Sequence, residues 1–322
     1  MGAFSLLERR LEISRFANDT PAASAGGAGC APMQGRCVLG VTDLTPEGAN
    51  AAWRAGLVAR DRGVPLHLLC VQADARGIAG VEAAVRNLAR QLQQRLHVVT
   101  SASCMAGSLR DHVAAFSERA GLLVLPWRRG NALIDAVLGT LPERIYRTLF
   151  IPMLVVRQPA FSSYRRVLVP VKLDGHAVSM ISAARGVSRD PRMRVFHVLG
   201  TSHEESLRVA DVSERALRLQ RQHRSRAAYT MLNEFMTLAG AREGAAALVS
   251  FGHVPTRVLE IARANRAQLL VLGKARRSLL SELFFAKHSK SLLSNAEADV
   301  LVLPVEEGAR GIREGFQMWP AV

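Results

Sequence analysis

The chain has 322 residues, 49% of them apolar with few aromatics, and a formal net charge of +15. That length supports a sizeable core and favours two domains, and no apolar run is long enough to span a bilayer, which argues against membrane insertion. The charge draws phosphates or other polyanions by its long-range field. Arginine is nevertheless scattered through both halves without a basic arm rich in lysine and aromatics. That distribution reads as a solvated basic surface and argues against specific nucleic-acid binding.

The opening segment, MGAFSLLERRLEIS, carries charges where the apolar stretch of a secretory signal should stand, and Leu6 breaks a myristoylation signal. A cytoplasmic protein is expected. Phe4, Leu7 and Leu11 fall on one helical face, and residues 18–35, with NDTPAASAGGAG, read as a flexible linker. Residues 1–35 are therefore taken as a tail.

Apolar runs of strand type then alternate with helical patterns. The first half has Cys37–Val41, Leu66–Val71, His97–Thr100, Leu122–Leu125 and Met153–Val156. The second has Val167–Val171, Val195–Leu199, Ala247–Ser250, Leu269–Leu272 and Val300–Leu303. Runs this short, apolar on both parities and separated by helices, predict parallel strands buried on both faces. Five per half make two doubly wound α/β units, at 36–160 and 161–305, with a C-terminal tail at 306–322.

The spacings indicate one unit written twice. Pro126 against Gly273 at the fourth strands, and Pro152 against Asp299 at the fifth, share an offset of 147. The first strands, Asp43 against Lys172, are offset by 129, so the second half holds 18 additional residues before its fourth strand. They lengthen the helical stretch 204–238, basic at Arg215, Arg218, Arg221, Arg224 and Arg226 and apolar at Met231, Leu232, Phe235 and Met236. Such a helix covers a sheet or binds a partner.

Cys30, Cys37, Cys70 and Cys104 show neither CxxC spacing nor a histidine cluster, so no metal site and no catalytic nucleophile is expected. The segment Pro126–Thr140 follows an apolar strand and ends in Gly139-Thr140, the outline of a phosphate cradle. Thr140-Leu-Pro-Glu143 is equally a capping box, which accounts for the threonine and glutamate without a ligand.

The order of elements and the residues at the strand ends resemble the universal stress protein family in tandem form. The first half supplies Val41-Thr42-Asp43, Val71, Gly107, Gly139-Thr140, Glu143-Arg144-Ile145 and Pro152–Val156. The second supplies Val169–Val171, His197-Val198, Gly252, Gly273 and Asp299–Leu303. The resemblance spans residues 36–305. It implies two tandem Rossmann-like, adenine nucleotide alpha hydrolase-like domains, each a five-stranded parallel sheet with helices on both faces. It also implies that the halves join through their fifth strands as an internal pseudo-dimer, leaving open a further homodimer and any protein partner.

In such a sheet the ligand crevice lies beyond the carboxyl ends of the first and fourth strands. The resemblance implies ATP or a related adenine nucleotide there in domain 1, held by Thr42, Asp43, Val71, Gly107, Arg128, Arg129, Gly130, Gly139 and Thr140. Pro126 and Arg129 replace the family's first two loop glycines, and Gly130 comes one residue late. Arg128 and Arg129 would compensate by gripping phosphate with their planar forks. In the second half Lys172 reverses the charge of the acid, and Ala286-Lys287 replaces Gly-Ser. Lys274, Arg276, Lys287 and His288 offer an anion patch at most, so that half reads as a structural partner.

The expected function is a non-enzymatic stress-response or regulatory protein. Two alternatives are a ligand-free adaptor that binds a protein or polyanion through its basic surface, and a slow nucleotide hydrolase. The hydrolase would need a placed base and usually a metal, and no carboxylate pair or histidine constellation converges in sequence.

Overall fold

The structure, a computed structural model, describes residues 37–72, 78–116, 119–127, 151–200, 213–275 and 296–305. The first half comprises β1 (Cys37–Val41), α1 (Pro46–Arg62), β2 (Leu66–Gln72), α2 (Ile78–Leu96), β3 (Thr100–Ala106), α3 (Leu109–Phe116), β4 (Ala120–Pro126) and β5 (Met153–Val156). The second comprises β6 (Arg166–Pro170), α4 (His176–Arg185), β7 (Arg192–Leu199), α5 (Glu214–Leu238), β8 (Ala245–Phe251), α6 (Val254–Ala264), β9 (Leu269–Ala275) and β10 (Asp299–Val305).

All ten strands form one sheet in the order β3-β2-β1-β4-β5-β10-β9-β6-β7-β8. Neighbours within each half are parallel, whereas β5 and β10 run antiparallel, with Leu154 opposite Leu301. Two five-stranded parallel sheets are thus welded edge to edge. The join removes two edges that would otherwise expose unpaired backbone groups.

One face carries a continuous core across the weld, in which Leu122, Val124 and Leu154 meet Val169, Val271 and Leu301. The other face holds two separate cores. One is built on Leu39, Leu125 and Val155, and the other on Phe196, Leu270 and Val258 of α6. Helix α1 shows why its segment folds as it does. Thr45 caps it by accepting from Gly48 N (3.2 Å), Pro46 follows the cap, and Gly63 ends it at φ +66°. Gly56 lets α1 approach α2, because a Cβ there would come within 2.6 Å of Leu96.

The third strand departs from the expected run. It occupies Thr100–Ala106, not His97–Thr100: His97 turns the chain at φ +54°, its amide still bonded to Gln93 O (3.0 Å). At the sheet margin TSASCMA is only half-buried, so an apolar run is no guide to an edge strand. The predicted helix at 204–238 is described as Glu214–Leu238. It covers the sheet with Leu217, Ala228, Leu232, Phe235 and Met236, leaving Arg215, Arg218 and Arg226 exposed.

A buried polar clamp ties the halves together, and the sequence reading missed it. Asp299, at the start of β10, is fully buried. Its Oδ1 accepts from the amides of Arg157 and Gln158 (both 2.7 Å), and its Oδ2 accepts from the Tyr164 hydroxyl (2.5 Å). Arg54 of α1 places Nε 3.2 Å from Oδ2, as an ion pair without good hydrogen-bond angles. The Arg54 guanidinium lies 4.2 Å from the centre of the Tyr164 ring and donates to Ser162 O (2.7 Å) and Pro159 O (3.1 Å). Burial raises the Asp299 carboxyl above its ordinary range, with Arg54 and the three donors pulling it back. Burial likewise pushes the Tyr164 hydroxyl well up, so it stays a donor. The signal in sequence was a lone arginine within the apolar run Ala51–Ala59.

Candidate functional site

The strand order fixes where a ligand crevice can open. From β1 the chain moves outward to β2 and β3, then returns to β4 on the other side, so the crevice lies at the carboxyl ends of β1 and β4. The same reversal occurs at β6 and β9 in the second half.

In the first half, Thr42 is buried. Its amide donates to Leu69 O (3.0 Å) and its hydroxyl accepts from Leu44 N (3.1 Å). Asp43 follows, half-buried, with Oδ1 accepting from the Thr45 amide (3.1 Å) and hydroxyl (2.5 Å). Leu44 between them takes a φ of +62°, which turns the chain sharply into α1. The carboxylate rests over the first turn of that helix, in the favourable field of its amide end. Gly48 leaves it room, since a Cβ there would fall 2.3 Å from Oδ1.

Val71 is half-buried near the end of β2, in register with Met105. Gly107, after β3, has φ +112° and donates its amide to Gln72 O (2.9 Å). Thr42, Asp43, Val71 and Gly107 therefore lie along the carboxyl ends of three neighbouring strands, with Gly107 farthest from β4. Arg128, Arg129, Gly130, Gly139 and Thr140, together with the capping box at Thr140 and Glu143, lie outside the described residues.

Pro126 is the last residue of β4, in register with Val156, and no longer part of a loop. Trp127 donates its amide to Val156 O (2.8 Å), and the Arg157 guanidinium stands 3.5 Å from the centre of its ring. Burial draws Arg157 down to about 10, with Asp299 acting in the opposite direction. The end of β4 is thus covered by a cation–π stack.

The second half repeats the frame with different chemistry. Gly252, at φ +130°, donates to Leu199 O (3.1 Å) as Gly107 does to Gln72. Lys172 stands in the place of Asp43. Asp174 spends Oδ1 on the His176 amide (3.1 Å) as α4 begins. His197 bonds through Nδ1 to Val171 O (2.9 Å), and burial lowers its pKa. Of the second-half basic patch, Arg276, Lys287, His288 and the Lys274 side chain lie outside the described residues.

Cys70 and Cys104 face each other in register, and burial with the neighbouring sulfur pushes Cys104 up to about 11, an unreactive thiol. Among the described residues no group of three or more His, Cys, Asp or Glu could hold a metal ion, and no helix is long and apolar enough to cross a membrane.

Residues 163–304 match the model of the universal stress protein family. No curated protein sequence matches the chain. Among solved structures, a functionally unknown protein from Pseudomonas aeruginosa PAO1 superposes with a TM-score of 0.58 at 20% identity, covering 84% of this chain and 93% of its own. A universal stress protein from Archaeoglobus fulgidus DSM 4304 superposes with a TM-score of 0.59 at 14% identity, covering 84% and 99%. Residues 163–304 are therefore a universal stress protein family domain, and the same wound sheet is repeated before it.

Proposed function

We propose that the chain is a cytoplasmic, non-enzymatic regulatory protein of the stress response that takes ATP or a related adenine nucleotide in its N-terminal half only. The observation that carries this reading is the placement of Asp43. It sits at the carboxyl end of β1, at the point where strand order reverses, and is oriented by Thr45 beside the start of α1. A carboxylate so placed accepts hydrogen bonds from ribose hydroxyls. Lys172 at the corresponding position offers only donors, so the C-terminal half acts as a structural partner.

Native mass spectrometry of gently purified protein tests the reading. One adenine nucleotide per chain is expected, lost in Asp43→Ala and kept in Lys172→Ala. A bare protein that also resists loading with millimolar ATP overturns it. Release of phosphate from labelled ATP above blank, abolished by Asp43→Asn, would instead make the protein a hydrolase. A second reading, a ligand-free adaptor, is favoured by the Trp127–Arg157 stack over the end of β4. It requires wild type to take up no nucleotide and Trp127→Ala to gain uptake.

A further inference from the structure

At the amino ends of β6, β7 and β8 lies a cavity of about 1060 Å³. Its wall includes six arginines, Arg60, Arg165, Arg166, Arg189, Arg192 and Arg194, against two carboxylates, Asp61 and Asp190. Arg60 and Asp61 come from the end of α1 in the first half and the rest from the second, so the cavity exists only in the joined chain.

The arginines of β7 break the rule of their own strand. β7 lies inside the sheet between β6 and β8, where a parallel strand should be apolar on both faces. Met193 and Val195 are buried on one face, yet Arg192 and Arg194 are exposed on the other. Arg192 is also in register with Arg166 of β6. Neighbouring strands are about 4.8 Å apart and alternate residues about 6.7 Å apart, so three guanidinium groups share one small patch. Like charges placed this way oppose folding.

Among the described residues no carboxylate pairs with Arg189, Arg192 or Arg194. Asp61 is engaged by Arg60 (2.9 Å) and accepts from the Ser188 hydroxyl (3.4 Å). Arg60 also donates to Ser163 Oγ (2.7 Å), and Arg166 donates through Nε to Arg266 O (2.7 Å), so both forks are held in place. Local rules are broken in this way where a ligand restores the balance.

We propose that this cavity binds a compact, multiply phosphorylated anion by its phosphate groups, at a site separate from the nucleotide crevice. Guanidinium forks meet phosphate oxygens in bidentate pairs. The volume is at the upper end for small-molecule sites and small for a polymer track. Tyr164, the aromatic residue on the wall, has its hydroxyl bonded to Asp299 and its ring under Arg54, so no platform for stacking bases is offered. The ligand is read by charge and not by a nucleobase.

Isothermal titration of the full chain with inorganic tripolyphosphate tests the proposal. One saturable site is expected, weakening as salt rises, with at least a tenfold loss of affinity in Arg192→Gln/Arg194→Gln. That variant should retain the ATP uptake of wild type and melt no lower, since it relieves repulsion. Arg189→Gln, a change on an exposed connection, should give a smaller loss in the same direction. Failure to saturate, equal affinity in the double variant, or tighter binding of a single-stranded oligonucleotide than of tripolyphosphate overturns the proposal.

Discussion

The carboxyl edges of the two halves share a frame and differ in what the frame displays. Gly107 and Gly252 both turn at positive φ and both donate to the end of the neighbouring strand. From helices α3 and α6, His112 Nε2 meets Ala106 O at 2.8 Å and Arg257 Nε donates to Phe251 O at 2.9 Å, each securing the strand next to its glycine. These features recur because the turn needs them. Asp43 and Lys172 do not recur, and α1 is capped by the side chain of Thr45 whereas Gly175, at the N-cap of α4, has no side chain to offer. Duplicated features therefore report folding, and features present in one half report what that half does or contacts.

The largest expected effect lies in the one-sided clamp. Asp299→Ala leaves Arg54 buried without its charge partner, and urea unfolding should register a loss of about 3 to 5 kcal/mol. Arg54→Leu combined with Asp299→Asn should recover much of that, because both charges leave together. Equal costs for the single and double variants would show that the ion pair is not what holds the halves.

Next comes a pH effect seated on His67 of the first half. His67 of β2 lies between Ser101 Oγ (2.7 Å) and Ser103 Oγ (2.9 Å), stacks on Phe116 at 4.7 Å, and is pushed down to about 4 by burial. It is neutral when folded and titrates near 6.5 when unfolded, so the unfolded chain binds the additional proton. Its contribution is complete above about pH 6.5 and is lost as pH falls toward 4, on the order of 2 to 3 kcal/mol. Chemical unfolding at several pH values should show this slope flatten in His67→Gln.

The smallest effect sharpens the comparison itself. Gly107→Ala and Gly252→Ala each force a side chain into an unfavourable φ and should cost about 1 to 2 kcal/mol in thermal unfolding. Similar costs in both halves mark these glycines as turn residues. A much larger loss of nucleotide uptake than of stability in Gly107→Ala would instead mark direct contact with a ligand.

The sequence made the repeated strands legible because buried parallel strands leave short apolar runs that helices separate. It misplaced β3, where the sheet margin lets Ser101 and Ser103 stand in a strand, bonded to His67 instead of packed in a core. Thr42, Asp43 and Val71 fell at the ends of predicted strands, whereas Gly107, seven residues past the predicted third strand, was singled out only by the family resemblance. That Asp43 is held by Thr45 was not readable, because it depends on the turn at Leu44. Arg54 and Asp299 were invisible as a pair, since only the folded chain brings α1 and the start of β10 together. Arg192 and Arg194 were hidden for the opposite reason: each looked like one more solvated charge until the strand order put them on an inner strand.

The antiparallel seam between β5 and β10 has a consequence for how the molecule could diverge. In an assembly of two identical subunits around a two-fold axis, each residue is used twice, so an interface change is good or bad in duplicate. Fusing the copies lifts that constraint. Here Arg54 and Asp299 face each other on one side of the pseudo-axis, while Ala183 and Pro152 occupy the mirror positions by the repeat offsets. A salt link on one flank and two buried residues without charge on the other is open to a fused chain and closed to a symmetric pair.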